Sequence, residues 1–128
     1  MGYIKHHTIV VTSFDFEKVK EVHKKAQEIF VEKCAHENGV IQKIIASGLI
    51  SPIIEGMANS QFSFFIAPDG SKEGWGTSKD ADVARKEFLD WLDKNNAYCD
   101  YFEVRFGGDD EDYRITRSLE TYLNDETE

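Results

Sequence analysis

Two sets of residues in this chain could act together on a small anionic ligand. Phe62, Phe65, Trp75, Tyr101 and Tyr113 offer flat apolar surface of the kind on which a nucleobase stacks. Arg105, Arg114 and Arg117 offer fixed positive charge for phosphates, and Arg105 and Arg114 would share one sheet face if their segments form a hairpin. Ser71 and Lys72 follow Gly70 and would bring a hydroxyl, an amine and backbone N–H groups to a phosphate. A phosphorylated purine presents both a base and phosphates, so binding such a ligand is the chemistry this set suggests. The plainer alternative makes Phe62 and Phe64 core residues and pairs Arg105 with Glu103 or with an acid of the following turn.

Other combinations are weaker. His6 and His7 are adjacent on a predicted strand, so they point to opposite faces and do not converge on one metal. Cys34 and His36 lack the paired spacing of a zinc site. Asp109, Asp110, Glu111 and Asp112 crowd one turn, whereas calcium loops space their ligands at alternate positions. No phosphate-binding loop, dinucleotide fingerprint, nucleophile elbow or zinc-protease helix motif occurs. The candidate ligand-binding set is therefore Phe62, Phe65, Ser71, Lys72, Trp75, Arg105 and Arg114. It comes with no catalytic residue, no metal and no cofactor.

The elements that must position these residues are legible from periodicity. Residues 6–12, HHTIVVT, are β-branched and apolar on both faces, which predicts a central strand. Residues 14 to about 37 carry Val19, Val22, Ala26, Ile29 and Phe30 on one helical stripe, with Ser13 as N-cap and Asp15 in the first turn. A short helix is expected over about 40–47, with Val40, Ile41, Ile44 and Ile45 on one face. Residues 49–55 are expected to form an edge strand, because Pro52 has no N–H to give a ladder. In strand 61–67, Phe62, Phe64 and Ile66 point one way and Phe65 the other. Pro68-Asp69-Gly70 is turn chemistry. A helix over 80–95 presents Ala84, Phe88, Trp91 and Leu92. Strands 98–106 and 113–117 complete the chain, with Arg114 and Thr116 together on the polar face of the last. The predicted fold is α+β: a mostly antiparallel sheet of four or five strands with two main helices packed on one face.

Composition narrows the partners. A chain of 128 residues fits a single domain spanning 1–128, and 41% apolar content supports a core. The net charge of −9 argues against polymeric nucleic acid and against anionic membranes, both of which need clustered basic residues. It leaves room for a small phosphorylated ligand held by local arginines. It also suits an acidic protein that imitates nucleic acid to block a basic groove. No apolar run approaches the roughly 20 residues of a membrane span. Met1–Lys5 lacks a signal peptide's apolar segment, and the two cysteines, Cys34 and Cys99, fit free thiols in a reducing, cytoplasmic compartment. Ile41, Ile44 and Ile45 exceed what a small sheet can cover, which predicts a homo-oligomer built from dimers.

Four segments carry a resemblance. SFFIAPDGSKEGW (63–75), the His6–His7 pair, FLDWL (88–92) and FEVRFGGDD (102–110) are similar to the first type of Thoeris anti-defence proteins, with the segments in the same chain order. These are small phage proteins that act as sponges. They bind and sequester the cyclic ADP-ribose signal made by bacterial TIR enzymes, and some members bind cyclic di- and trinucleotides as symmetric oligomers. The resemblance covers most of the chain, although the segment from about Lys33 to Gly48 is longer than the family pattern. It implies a cyclic ADP-ribose-type ligand and no catalytic residue. Bases would stack on Phe62 or Phe65 and Trp75, and Arg105 and Arg114 would meet the diphosphate. Two other readings stay open: an acidic interaction protein, and a small hydrolase drawing on the chain's His, Asp and Glu content.

Overall fold

The computed structural model describes residues 6–34, 48–70, 76–95, 99–107 and 113–118. Along the chain these form β1 (His6–Ser13), α1 (Phe16–Cys34), β2 (Ile54–Glu55), β3 (Phe62–Ile66), α2 (Gly76–Asn95), β4 (Asp100–Phe106) and β5 (Arg114–Ser118). The expected short helix at 40–47 lies outside the described residues.

The stripe of α1 is buried as its spacing predicts: Val19, Val22, Ala26, Ile29 and Phe30 all lie in the core. The cap differs from expectation by two residues. Asp15, not Ser13, caps the helix: its Oδ1 accepts the Lys18 N–H at 3.2 Å, while Ser13 Oγ accepts the Asp15 N–H at 3.2 Å. The carboxylate reaches the third helical N–H, where both an acceptor and a negative charge are favoured. Helix α2 begins at Gly76, one turn before the expected start. Its polar first turn carries no apolar period to reveal it, although Ala81 extends the buried stripe of Ala84, Phe88 and Leu92.

The sheet has the order β2-β3-β1-β4-β5 with every neighbour antiparallel. β1 and β2 flank β3, and β3 and β4 flank β1, so each pair is joined by a helix that carries the chain back over the sheet. This is the split β-α-β-β-α-β connectivity of ferredoxin-like sheets, extended by β5. β1 is central, as its two apolar faces require. β2 is shorter than expected. Residues 49–51 still bond to β3, with Ser51 N to Phe65 O at 2.9 Å and Ala67 N to Leu49 O at 2.8 Å. Pro52 then interrupts the ladder before Ile54 resumes it.

Cross-strand register sorts the residues by face. His7, Ile9, Val11 and Ser13 of β1 share a face with Phe62, Phe64 and Ile66 of β3 and with Tyr101, Glu103 and Arg105 of β4. Both helices pack on this face, and Ile9, Val11, Phe64, Ile66, Cys99 and Tyr101 join their stripes in one core cluster. The opposite face carries Val10, Phe65, Phe102, Val104, Phe106 and Ile115. Phe65, Phe106 and Ile115 remain exposed there.

Between β4 and β5 the register slips by one. Arg105 faces Arg114 and Val104 faces Ile115, but Glu103 faces Arg117. Thr116 is the extra residue of a β-bulge. Strict alternation would put Arg114 and Arg117 on opposite faces. The bulge puts both on the helix-covered side.

Candidate anion-binding site

Where α2 crosses the β1–β4–β5 half of the sheet, the packing leaves a cavity of about 260 Å³. Asp82, Arg85, Lys86 and Leu89 enter it from α2, at spacings of three and four residues that share one helix face. His7, Glu103, Arg105, Thr116 and Arg117 enter from the sheet. Among the described residues four cations, Arg85, Lys86, Arg105 and Arg117, therefore face two carboxylates, Asp82 and Glu103.

Three of those cations are already matched. Arg85 is 2% exposed. It donates to Asp69 Oδ1 at 3.2 Å and to Asp82 Oδ1 at 2.5 Å, and its Nε lies 4.0 Å from Glu103 Oε2. The Asp69 contact ties down the turn that Gly70 completes with φ of 82°, a left-handed conformation that glycine adopts without penalty. Arg117 donates to Asp90 Oδ1 at 2.8 Å and Asp93 Oδ2 at 2.6 Å, and Lys86 reaches Asp90 Oδ2 at 2.8 Å. Burial alone would lower the pKa of Arg117, but its hydrogen bonds to Asp93 and Asp90 outweigh this and hold it above the usual value. Hydrogen bonding from Lys86, then from Arg117, holds Asp90 below the usual carboxylate range against the opposing effect of burial. Tyr101 donates to Asp93 Oδ1 at 2.6 Å; burial and that bond push its phenol well up.

Arg105 differs from these three. Among the described residues no carboxylate pairs with it, and its Nε is buried without a hydrogen-bond partner. The suggested pairing with Glu103 does not form. Glu103 Oε1 accepts the Thr116 hydroxyl at 2.7 Å, and the ion pair of Glu103 is with Arg85. A buried donor left unmet costs on the order of 1–3 kcal/mol, so an acceptor entering the cavity gains what the fold does not supply.

The sequence-predicted residues separate. Arg105 lines the cavity, and Arg114 is its cross-strand partner on the same face, exposed to solvent. Phe62 lies on that face at the far end of the sheet. It pairs with Ser13 whereas Arg105 pairs with His7, six positions along β1 and about 20 Å away at ~3.4 Å per residue. There its ring packs on Phe16 at 4.8 Å. Phe65 pairs with Val10 and points to the opposite face. Neither phenylalanine joins the arginines, because register puts one at the wrong end and the other on the wrong side. Tyr101 is buried and serves as a donor to Asp93, while Tyr113 is exposed. Ser71, Lys72, Trp75 and the acidic turn 109–112 lie outside the described residues. Among the described residues no group of three His, Cys, Asp or Glu could hold a metal.

Sequence reasoning missed Arg85, Lys86, Asp82, Glu103 and His7 as cavity residues. Arg85 left a signal. It falls four residues after Ala81 and three before Phe88, inside the apolar stripe of α2, where an arginine must be paired to be tolerated.

Compared with known proteins, the chain matches no family model, no curated protein and no solved structure. No helix among the described residues is long and apolar enough to cross a membrane.

Proposed function

We propose that the protein binds a small phosphorylated nucleotide signal without cleaving it, and that Arg105 takes a phosphate. One observation carries this reading: in a chain of net charge −9, a cavity rich in cations contains an arginine whose buried Nε has no partner. Long-range attraction for an anion is absent, so affinity must come from short, charge-assisted bonds in a partly dry site. The resemblance to Thoeris anti-defence proteins selects the ligand class within that reading. It is a cyclic ADP-ribose isomer made by a bacterial TIR enzyme, sequestered in the cytoplasm of an infected host, with cyclic oligonucleotides as further candidates.

The test is capture and release. The protein is incubated with cyclic ADP-ribose isomers, separated from free ligand and heat-denatured, and the released material is analysed. Intact ligand supports a sponge, cleaved ligand an enzyme, and no capture the acidic-mimic alternative. Arg105→Ala should weaken binding by roughly ten- to a hundredfold, the loss of one charge-assisted hydrogen bond. Arg114→Ala reports whether the exposed cross-strand partner contributes.

We also propose that the protein is a homo-oligomer built from dimers. What supports this is the open sheet face. Phe65, Phe106, Ile54 and Ile115 are exposed on it, and Asp100 at one end and His6 at the other are its only acidic or basic residues among the described strands. Charge depletion with aromatic enrichment is the composition of an interface core, and a two-fold axis pairs such a face with itself. Sedimentation of Phe65→Glu alongside the wild type tests it. A wild type that is monomeric at micromolar concentration overturns the idea.

A further inference from the structure

The cavity is too small and too polar for a whole nucleotide. Pockets that enclose a drug-sized ligand run to roughly 300–1,000 Å³ and are mostly apolar, whereas this one holds about 260 Å³ and Leu89 is its single aliphatic wall among the described residues. Among the described residues it offers no phenyl, phenol or indole ring against which a base would stack. What fits its lining is the polar end of a nucleotide.

That lining is two-signed in a specific way. Arg105 and Glu103 are two residues apart on β4 and point to the same face, so their Cα atoms are about 7 Å apart. Arg105 brings an unmet donor. Glu103 brings a half-buried carboxylate with one oxygen that takes no hydrogen bond from a described residue. Its Oε1 takes the Thr116 hydroxyl, while its Oε2 is 4.0 Å from Arg85 Nε, an ion-pair distance too long for a hydrogen bond. A bare anion would satisfy Arg105 and be repelled by Glu103. A ligand carrying phosphate at one end and hydroxyl donors at the other satisfies both.

Building on the proposed function, we infer that the cavity between α2 and β4–β5 is a ribose-phosphate pocket. Arg105 binds the phosphate, the Glu103 carboxylate accepts from the sugar hydroxyls, and the base stays outside the cavity mouth. The pocket thereby selects ribose over deoxyribose. Loss of a hydroxyl removes a donor to the half-buried carboxylate, and a hydrogen bond to a charged group corresponds to roughly tenfold or more in affinity.

Calorimetric titration with ribose 5-phosphate, 2-deoxyribose 5-phosphate and inorganic pyrophosphate tests this, with the cyclic ADP-ribose isomer as reference. Ribose 5-phosphate should bind at least tenfold more tightly than its 2-deoxy analogue. Glu103→Gln should bring the two within about twofold, and Arg105→Ala should weaken both. Melting curves check that each variant is folded; should Glu103→Gln not fold, the wild-type ratio of the two sugars decides alone. Equal binding of the two sugars overturns the inference and leaves the anion-binding reading standing, as does tight binding of pyrophosphate alone. If the reference nucleotide binds but neither sugar phosphate does, the ribose pocket falls by itself. If none of the four ligands binds, both readings fall together.

Discussion

Replacing Arg85 with methionine should be among the most damaging single changes available near the cavity. The guanidinium is 2% exposed and serves three carboxylates from three parts of the chain: Asp69 after β3, Asp82 on its own helix and Glu103 on β4. Methionine fills much of the same space and keeps helix propensity, so the loss is almost wholly electrostatic. The three acids do not lose equally. The Asp82 side chain is 50% exposed and rehydrates, whereas those of Asp69 and Glu103 are 13% and 17% exposed and stay in a poorly solvated site. Removing one member of a buried ion pair typically costs about 3–5 kcal/mol, because the partner remains charged and uncompensated. That is a large part of a total stability on the order of 5–15 kcal/mol. For a chain of this size each 1 kcal/mol moves Tm by about 3–5 °C, so a fall of roughly 10–20 °C is expected. Urea unfolding of wild type, Arg85→Met, Asp69→Asn and the double variant gives the coupling. Asp69→Asn should recover part of the loss in the methionine background, with an interaction energy of about 1–3 kcal/mol. If Arg85→Met lies within about 1 kcal/mol of wild type, or if the two changes are simply additive, the three-acid assignment is wrong.

Tyr101→Phe removes one hydrogen bond to a buried carboxylate that keeps Arg117, so it should cost about 1.5–3 kcal/mol, seen as a lower urea midpoint with an unchanged slope. In a Cys34→Ser background, Cys99 should resist a thiol reagent at pH 8 until urea is added, because burial pushes its thiol up to about 11; rapid native labelling would contradict this. Cys99 and Tyr101 both have folded-state values raised above their ordinary 9.0 and 10.0. The contribution of Cys99 is therefore complete below about pH 9 and lost as pH rises toward 11, that of Tyr101 is complete below about pH 10 and lost above it, and Tm should fall less steeply above pH 9 in a Cys99→Ala, Tyr101→Phe double variant. Phe62→Ala should destabilise by about 1–3 kcal/mol through its half-buried packing on Phe16, yet leave nucleotide affinity within about twofold. A tenfold loss of affinity would return Phe62 to the binding site.

Local pattern was enough to establish most of the elements. The α1 stripe, the β-branched β1 with apolar residues on both faces and the edge position imposed by Pro52 are consequences of periodicity and of which backbone groups a residue can donate. They need no knowledge of what packs against them. The α+β class with two helices on one face follows from those elements, and the apolar residues of β3 sort correctly by alternation alone. What alternation could not reveal is where strands slip. A single extra residue, Thr116, moves Arg117 to the side of Glu103 and Asp93, and nothing in YRITR marks it. The same limit separated the proposed stacking phenylalanines from Arg105. Their distance is set by the pairing of β1 with both β3 and β4, contacts made between residues about fifty or more positions apart. Tertiary structure also decided which arginine is left over. Arg105, Arg114 and Arg117 look alike in sequence, and only the arrival of Asp90 and Asp93 from a distant segment matches Arg117 and leaves the buried Nε of Arg105 unmet. Charge balance at a buried site is a sum over neighbours, and the neighbours are assigned by the fold.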